Sequence, residues 1–115
     1  MDKPDIETAA DIDRLMAGFY RQRALPDPII GFYFDALNLD RHLPRISAFW
    51  QKQLLGIPGY TGRSFETHLL IHRHTAITGH HFHRWLYLFN QTVDALFAGP
   101  RAELAKQRAA AIAHS

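Results

Sequence analysis

The sequence predicts an all-α fold of five or six helices around one core. Three observations carry this. Apolar residues recur every three or four positions along most of the chain, prolines and glycines fall between those runs, and no run alternates apolar with polar as a half-buried strand does. At 115 residues the chain reads as one domain, 1–115, without a repeat or a second unit. Apolar residues make up 47% and aromatics 12%, enough for an ordered globule. Eight Phe, four Tyr and two Trp are many for so short a chain and suggest a planar ligand among them.

Residues 1–10 read as a loose tail. A first helix is expected from Asp11, a suitable N-cap, with Ile12, Leu15, Met16, Phe19 and Tyr20 on one stripe. The prolines of Leu25-Pro26-Asp27-Pro28 end it. Pro28 suits the first turn of a short helix that brings Phe32, Tyr33 and Phe34. Asp40 is the expected cap of the next helix, about 41–55. His42, Ile46, Phe49 and Gln53 share one face of it, and Trp50 lies on an adjacent stripe. Pro44 is tolerable in a first turn, which puts His42 at the helix start. Gly56, Pro58, Gly59 and Gly62 interrupt the pattern. A short helix over 63–71 then carries Phe65, His68, Leu69 and His72. Thr78 can cap a long helix, about 79–98, on which Phe82, Trp85, Leu86, Phe89, Val93, Leu96 and Phe97 step regularly. Gly99 ends it and Pro100 opens the last helix, with Leu104, Ala105, Ala109 and Ile112 inward.

Charge and composition narrow the function. The formal charge is +2 and the basic residues are scattered, so nothing resembles a nucleic-acid groove. There is no cysteine for disulfides, thiolate chemistry or iron–sulfur sites, which fits a cytoplasmic location. The opening MDKPDIETAADIDRL lacks a leader's apolar centre, and no run approaches the roughly 18 apolar residues of a membrane span. The glycine-serine elbow, phosphate-binding glycine loop and His-Glu-x-x-His templates are all missing, and the carboxylates form no catalytic pair.

Histidine is over-represented, with eight residues. His72, His74, His80, His81 and His83 form a cluster able to bind zinc or nickel, or simply a solvated patch. A haem requires something else: one imidazole for iron, an apolar slot with aromatic walls, and few polar groups on the open side. His68, between Phe65 and Leu69, can reach iron from one side. If the chain doubles back at Gly56–Gly59, His42 enters the same space from the other. Tyr20 and Trp85, on two further helices, are inward-facing donors that can converge there.

With these residues in hand, the chain resembles a truncated haemoglobin of group III. The likeness covers about residues 11–112. It rests on Phe19-Tyr20, DPIIGFYF, HLPRISAFW, the Y-x-G and later histidine of YTGRSFETHL, and HFHRWLYLF, in that order. Glycine-glycine pairs of other truncated groups are missing, as in group III. Two departures stand out: Phe32 where the family shows Gly-Pro, and a longer, His-rich stretch over 70–80. The resemblance implies a truncated globin-like helical sandwich enclosing haem b. His68 would be the iron ligand. Tyr20, His42 and Trp85 would line the distal side, with Ile46, Phe49, Trp50 and Phe34 against the haem. Tyr60 and Arg45 would reach its propionates. His81 precedes Phe82 and mimics a ligand, but the family places its ligand earlier, after Y-x-G.

The function so implied is binding of dioxygen and other diatomic ligands at an open iron position. Nitric oxide dioxygenation or peroxidase-like reduction, served by a reductase, is the redox extension. Neither a nucleic acid nor a membrane is an expected partner. Two other classes remain open from the residues alone: a cofactor-free helical interaction domain, and a histidine-based zinc or nickel binder.

Overall fold

The computed structural model describes residues 3–35, 38–59 and 79–113. These are mostly helical, without a strand among the described residues, as the periodicity predicts. Helix α1 spans Ala9–Phe19, α2 Phe32–Asp35, α3 Leu39–Leu55, α4 Gly79–Leu96 and α5 Pro100–Ala113. The expected helix over 63–71, and Thr78 as a cap, lie outside the described residues.

Local chemistry sets each boundary, and twice differently from expectation. Thr8, not Asp11, is the N-cap of α1. Its hydroxyl accepts from Asp11 N–H at 3.1 Å, while the Asp11 carboxylate accepts from Thr8 N–H at 3.0 Å, a reciprocal capping box. Asn38, not Asp40, caps α3: its side-chain oxygen accepts from Arg41 N–H. With the helix starting at Leu39, Pro44 lies inside it rather than in its first turn. Gly56 ends α3 in a left-handed conformation, φ 69°, where a Cβ would be strained.

After Phe19 the chain widens into one π-helical turn, Tyr20–Ala24, closed by Leu25 N–H on the Tyr20 carbonyl at 2.9 Å. Asp27 organises the corner beyond this turn. Its carboxylate accepts from the N–H groups of Ile29 and Ile30, each at 3.0 Å, and from Arg84 of α4 at 2.7 and 3.1 Å. Burial alone would raise the Asp27 pKa. The Arg84 bonds and the two backbone donors outweigh it and hold the carboxyl below its usual range.

Two helix pairs, α1 with α3 and α4 with α5, close on each other through α1–α4 and α3–α5 contacts. Ile12, Leu15, Met16 and Phe19 meet Phe89 and Val93 in the core, and Ala102, Ala105 and Ala109 bring α5 close. Gly18 faces α4, where a Cβ would stand 3.4 Å from the Thr92 methyl, in ordinary contact. The loose tail expected for residues 1–10 is a docked segment from residue 3 onward. Ile6 is fully buried, Ala98 N–H reaches the Pro4 carbonyl at 2.9 Å, and the Asp5 carboxylate accepts from Arg101 and Ala102 N–H at 3.0 and 2.9 Å. One isolated isoleucine has no periodicity to announce that it is buried. No described helix is long and apolar enough to cross a membrane.

Candidate functional site

Tyr20 is the centre of the candidate site. It sits where α1 passes into the π-helical turn and is 2% exposed. In that turn Tyr20 and Ala24 are buried while Arg21 reaches the surface. Phe19 and Phe34 meet the Tyr20 ring edge-on, with centroids at 4.6 and 5.6 Å. Burial pushes the Tyr20 pKa up, opposed in part by a hydrogen bond from Trp85. The phenol therefore stays protonated at any physiological pH. Indole N–H is only a donor, so toward Trp85 the Tyr20 oxygen can act only as an acceptor.

Trp85 reaches Tyr20 from the middle of α4. Its ring stacks on Phe89 at 5.6 Å and 19°, and Trp50 of α3 stacks on Phe89 at 5.1 Å and 24°. Phe19 stands edge-on to both Trp85 and Phe89, at 5.7 and 5.3 Å. Tyr20, Phe34, Ile46, Trp50 and Trp85 are all buried in one core. Phe49 is half-buried, edge-on to Trp50 at 5.4 Å. His42 is half-buried in the first turns of α3, and Arg45 is exposed. His68 and Tyr60 lie outside the described residues, as do His72 and His74.

His81 sits in the first turn of α4, with its Nδ1 3.0 Å from the Tyr33 hydroxyl. Among the described residues no cluster of metal-ligating side chains forms. Sequence reasoning missed the cross-links that hold the site's frame: Asp27–Arg84, Tyr33–His81, and Ser47 of α3 donating to Asp13 of α1. Their partners are far apart in the chain, and helical periodicity carries no sign of such pairs. Next to that last bond lies a cleft of about 370 Å³ between α1 and α3, lined by Asp13, Met16, Arg21, Asp40, Leu43, Pro44 and Ser47.

The fold is that of a solved structure. The crystal structure of group III truncated hemoglobin from Campylobacter jejuni matches with a TM-score of 0.81 over 97% of this chain and 90% of that one, at 24% sequence identity. The fold is a truncated-globin fold. No family model and no curated protein matches the chain. In a truncated-globin frame the buried phenol stands in the turn after α1, the indole on α4 and the half-buried histidine on α3.

Proposed function

We propose that the chain binds haem b and holds dioxygen or another diatomic ligand against the Tyr20 hydroxyl. The observation that carries the reading is the Tyr20–Trp85 pair: a buried phenol kept protonated by its burial, beside an indole N–H. The surrounding donor set suits a ligand that gains negative charge. Haem, when bound, supplies the open iron position and the electron density that makes such a ligand partly anionic. The likeness to a truncated hemoglobin supports the same reading.

Each residue then has a task. Tyr20 donates to the anionic atom of the ligand, and Trp85 fixes the phenol's orientation through its own N–H. Ile46, Phe34, Phe49 and Trp50 keep water from that hydrogen bond, which raises its worth. His42 stands at the entrance side of α3. His68 would hold the iron, and exposed Arg45, with Tyr60, would pair with the propionates. Firm retention of the ligand suits redox chemistry on oxygen, nitric oxide or peroxide, fed by a reductase, better than oxygen delivery.

The test is a visible spectrum of the purified full-length chain with haem, in ferric, ferrous and carbon monoxide forms. A strong Soret band is expected in wild type and in His81→Ala. His68→Ala should lose haem, with rescue by added imidazole. A colourless protein that cannot be reconstituted, or ligand loss in His81→Ala instead, overturns the assignment.

A further inference from the structure

Pro44 inside α3 has no N–H to give the Asp40 carbonyl, and its ring crowds that carbonyl. The turn before it is therefore joined to the rest of α3 by fewer bonds than a regular helix supplies. At its other end this turn is closed on itself. The N–H groups of Arg41 and His42 reach the Asn38 carbonyl at 3.1 and 3.0 Å, and the Asn38 side chain also accepts from Arg41. The turn carries His42.

Two side-chain bonds tie α3 to α1, one on each side of Pro44. Beyond it, buried Ser47 donates to Asp13 and accepts from Gln51 at 3.2 Å, which anchors the body of the helix. Before it, Arg21 pairs with Asp40 across side chains that are 45% and 85% exposed. Between the two bonds lies the 370 Å³ cleft, with Met16, Leu43 and Pro44 as its apolar lining.

We propose that residues 40–43, between buried Leu39 and Pro44, form a flap, hinged at Pro44 and latched by the Arg21–Asp40 ion pair, which moves over the α1–α3 cleft and carries His42 with it. An anchored body, a weakened joint, an exposed latch and room to move are all present. The motion stands on these features alone; its effect on ligand entry rests on the diatomic-ligand reading above.

Amide hydrogen exchange on the full-length protein tests the flap. The bonds that cross the hinge run from Arg45, Ile46 and Ser47 N–H to the carbonyls of residues 41–43, one helical turn back. Removing an exposed ion pair with Arg21→Gln should speed exchange at those three amides about two- to fivefold. Raising salt from about 0.1 M to about 1 M should do the same in wild type and nothing further in the variant, since the screening length falls from roughly 10 to 3 Å. Pro44→Ala restores a bond across the hinge and should slow the same amides. Phe89–Val93 in α4 serve as the unchanged reference. Exchange at 45–47 that ignores both Arg21→Gln and salt, or that Pro44→Ala fails to slow, overturns the proposal. Where haem is bound, carbon monoxide association should rise with Arg21→Gln by the same factor. Failure to take up haem removes the diatomic-ligand reading but leaves the exchange result to decide the flap.

Discussion

Helix α1 faces two neighbours in opposite ways. Toward α4 it presents Phe19 and Gly18 to Trp85, Phe89 and Thr92, a contact of interlocked rings and close side chains. Toward α3 it presents Asp13, Met16 and Arg21 to Ser47, Leu43 and Asp40, polar bonds around a cleft. Tyr20 lies between the two. The difference teaches that one side of the candidate site is fixed by close packing, which cannot yield without losing contacts, and the other by groups that water can replace. Stability and ligand retention should belong to the first wall, and access to the second.

The largest effect should come from Phe89→Ala. The ring is fully buried between Trp85, Trp50 and Phe19, and its removal should cost about 3–5 kcal/mol of unfolding free energy in denaturant titration. A loss under about 1 kcal/mol would mean that the α4 side also yields. Tyr20→Phe comes next. A hydrogen bond to a charge-bearing acceptor is worth about 1.5–3 kcal/mol, so oxygen release should quicken roughly 10- to 100-fold, and carbon monoxide release much less. His42→Leu should instead mainly raise entry rates. An unchanged oxygen off-rate in Tyr20→Phe would leave Tyr20 as core filling.

Asp27 tests the frame both walls share. Its folded pKa is depressed, so its stabilisation is fully present above the unfolded value near 4 and fades as pH falls through the folded one. Acid titration should show stability falling below about pH 4 through this group, and Asp27→Asn should remove that part of the slope. The smallest change belongs to Ser47→Ala, about 0.5–1.5 kcal/mol, because only the bonds to Asp13 and from Gln51 beside the cleft are lost and almost no apolar packing. A cost equal to that of Phe89→Ala would erase the contrast between the walls.

Much of the first wall was legible in the sequence. Ile12, Leu15, Phe19 and Tyr20, then Trp85, Phe89 and Val93, repeat at helical spacing, and such repetition states which face is buried. It does not state which faces meet. Nothing in the chain marks Trp50 as stacking on Phe89, or Trp85 as the donor to Tyr20. The second wall was hardly legible. Asp11 and Thr8 are both good caps, as are Asp40 and Asn38, and a capping box uses two such residues at once. Pro44 reads as a helix start because proline is cheapest there, yet the fold keeps it inside α3. His68 and Tyr60, taken from the resemblance, lie outside the described residues, so the iron side of the site rests on the proposed function.

The Asp5 contact has a consequence for the order of folding. The first turn of α5 receives its carboxylate from a residue made 96 positions before Arg101. Closing so long a loop costs more entropy than any helix–helix pairing nearer in sequence, so it waits until nearer contacts have shortened the path. Docking of residues 3–6 then belongs to the last stage, after α4 and α5 have paired. Asp5→Ala should accordingly speed unfolding and leave the folding rate almost unchanged in stopped-flow measurements, a low-φ position by construction. Residues 3–6 thus hold the finished fold closed without helping to nucleate it.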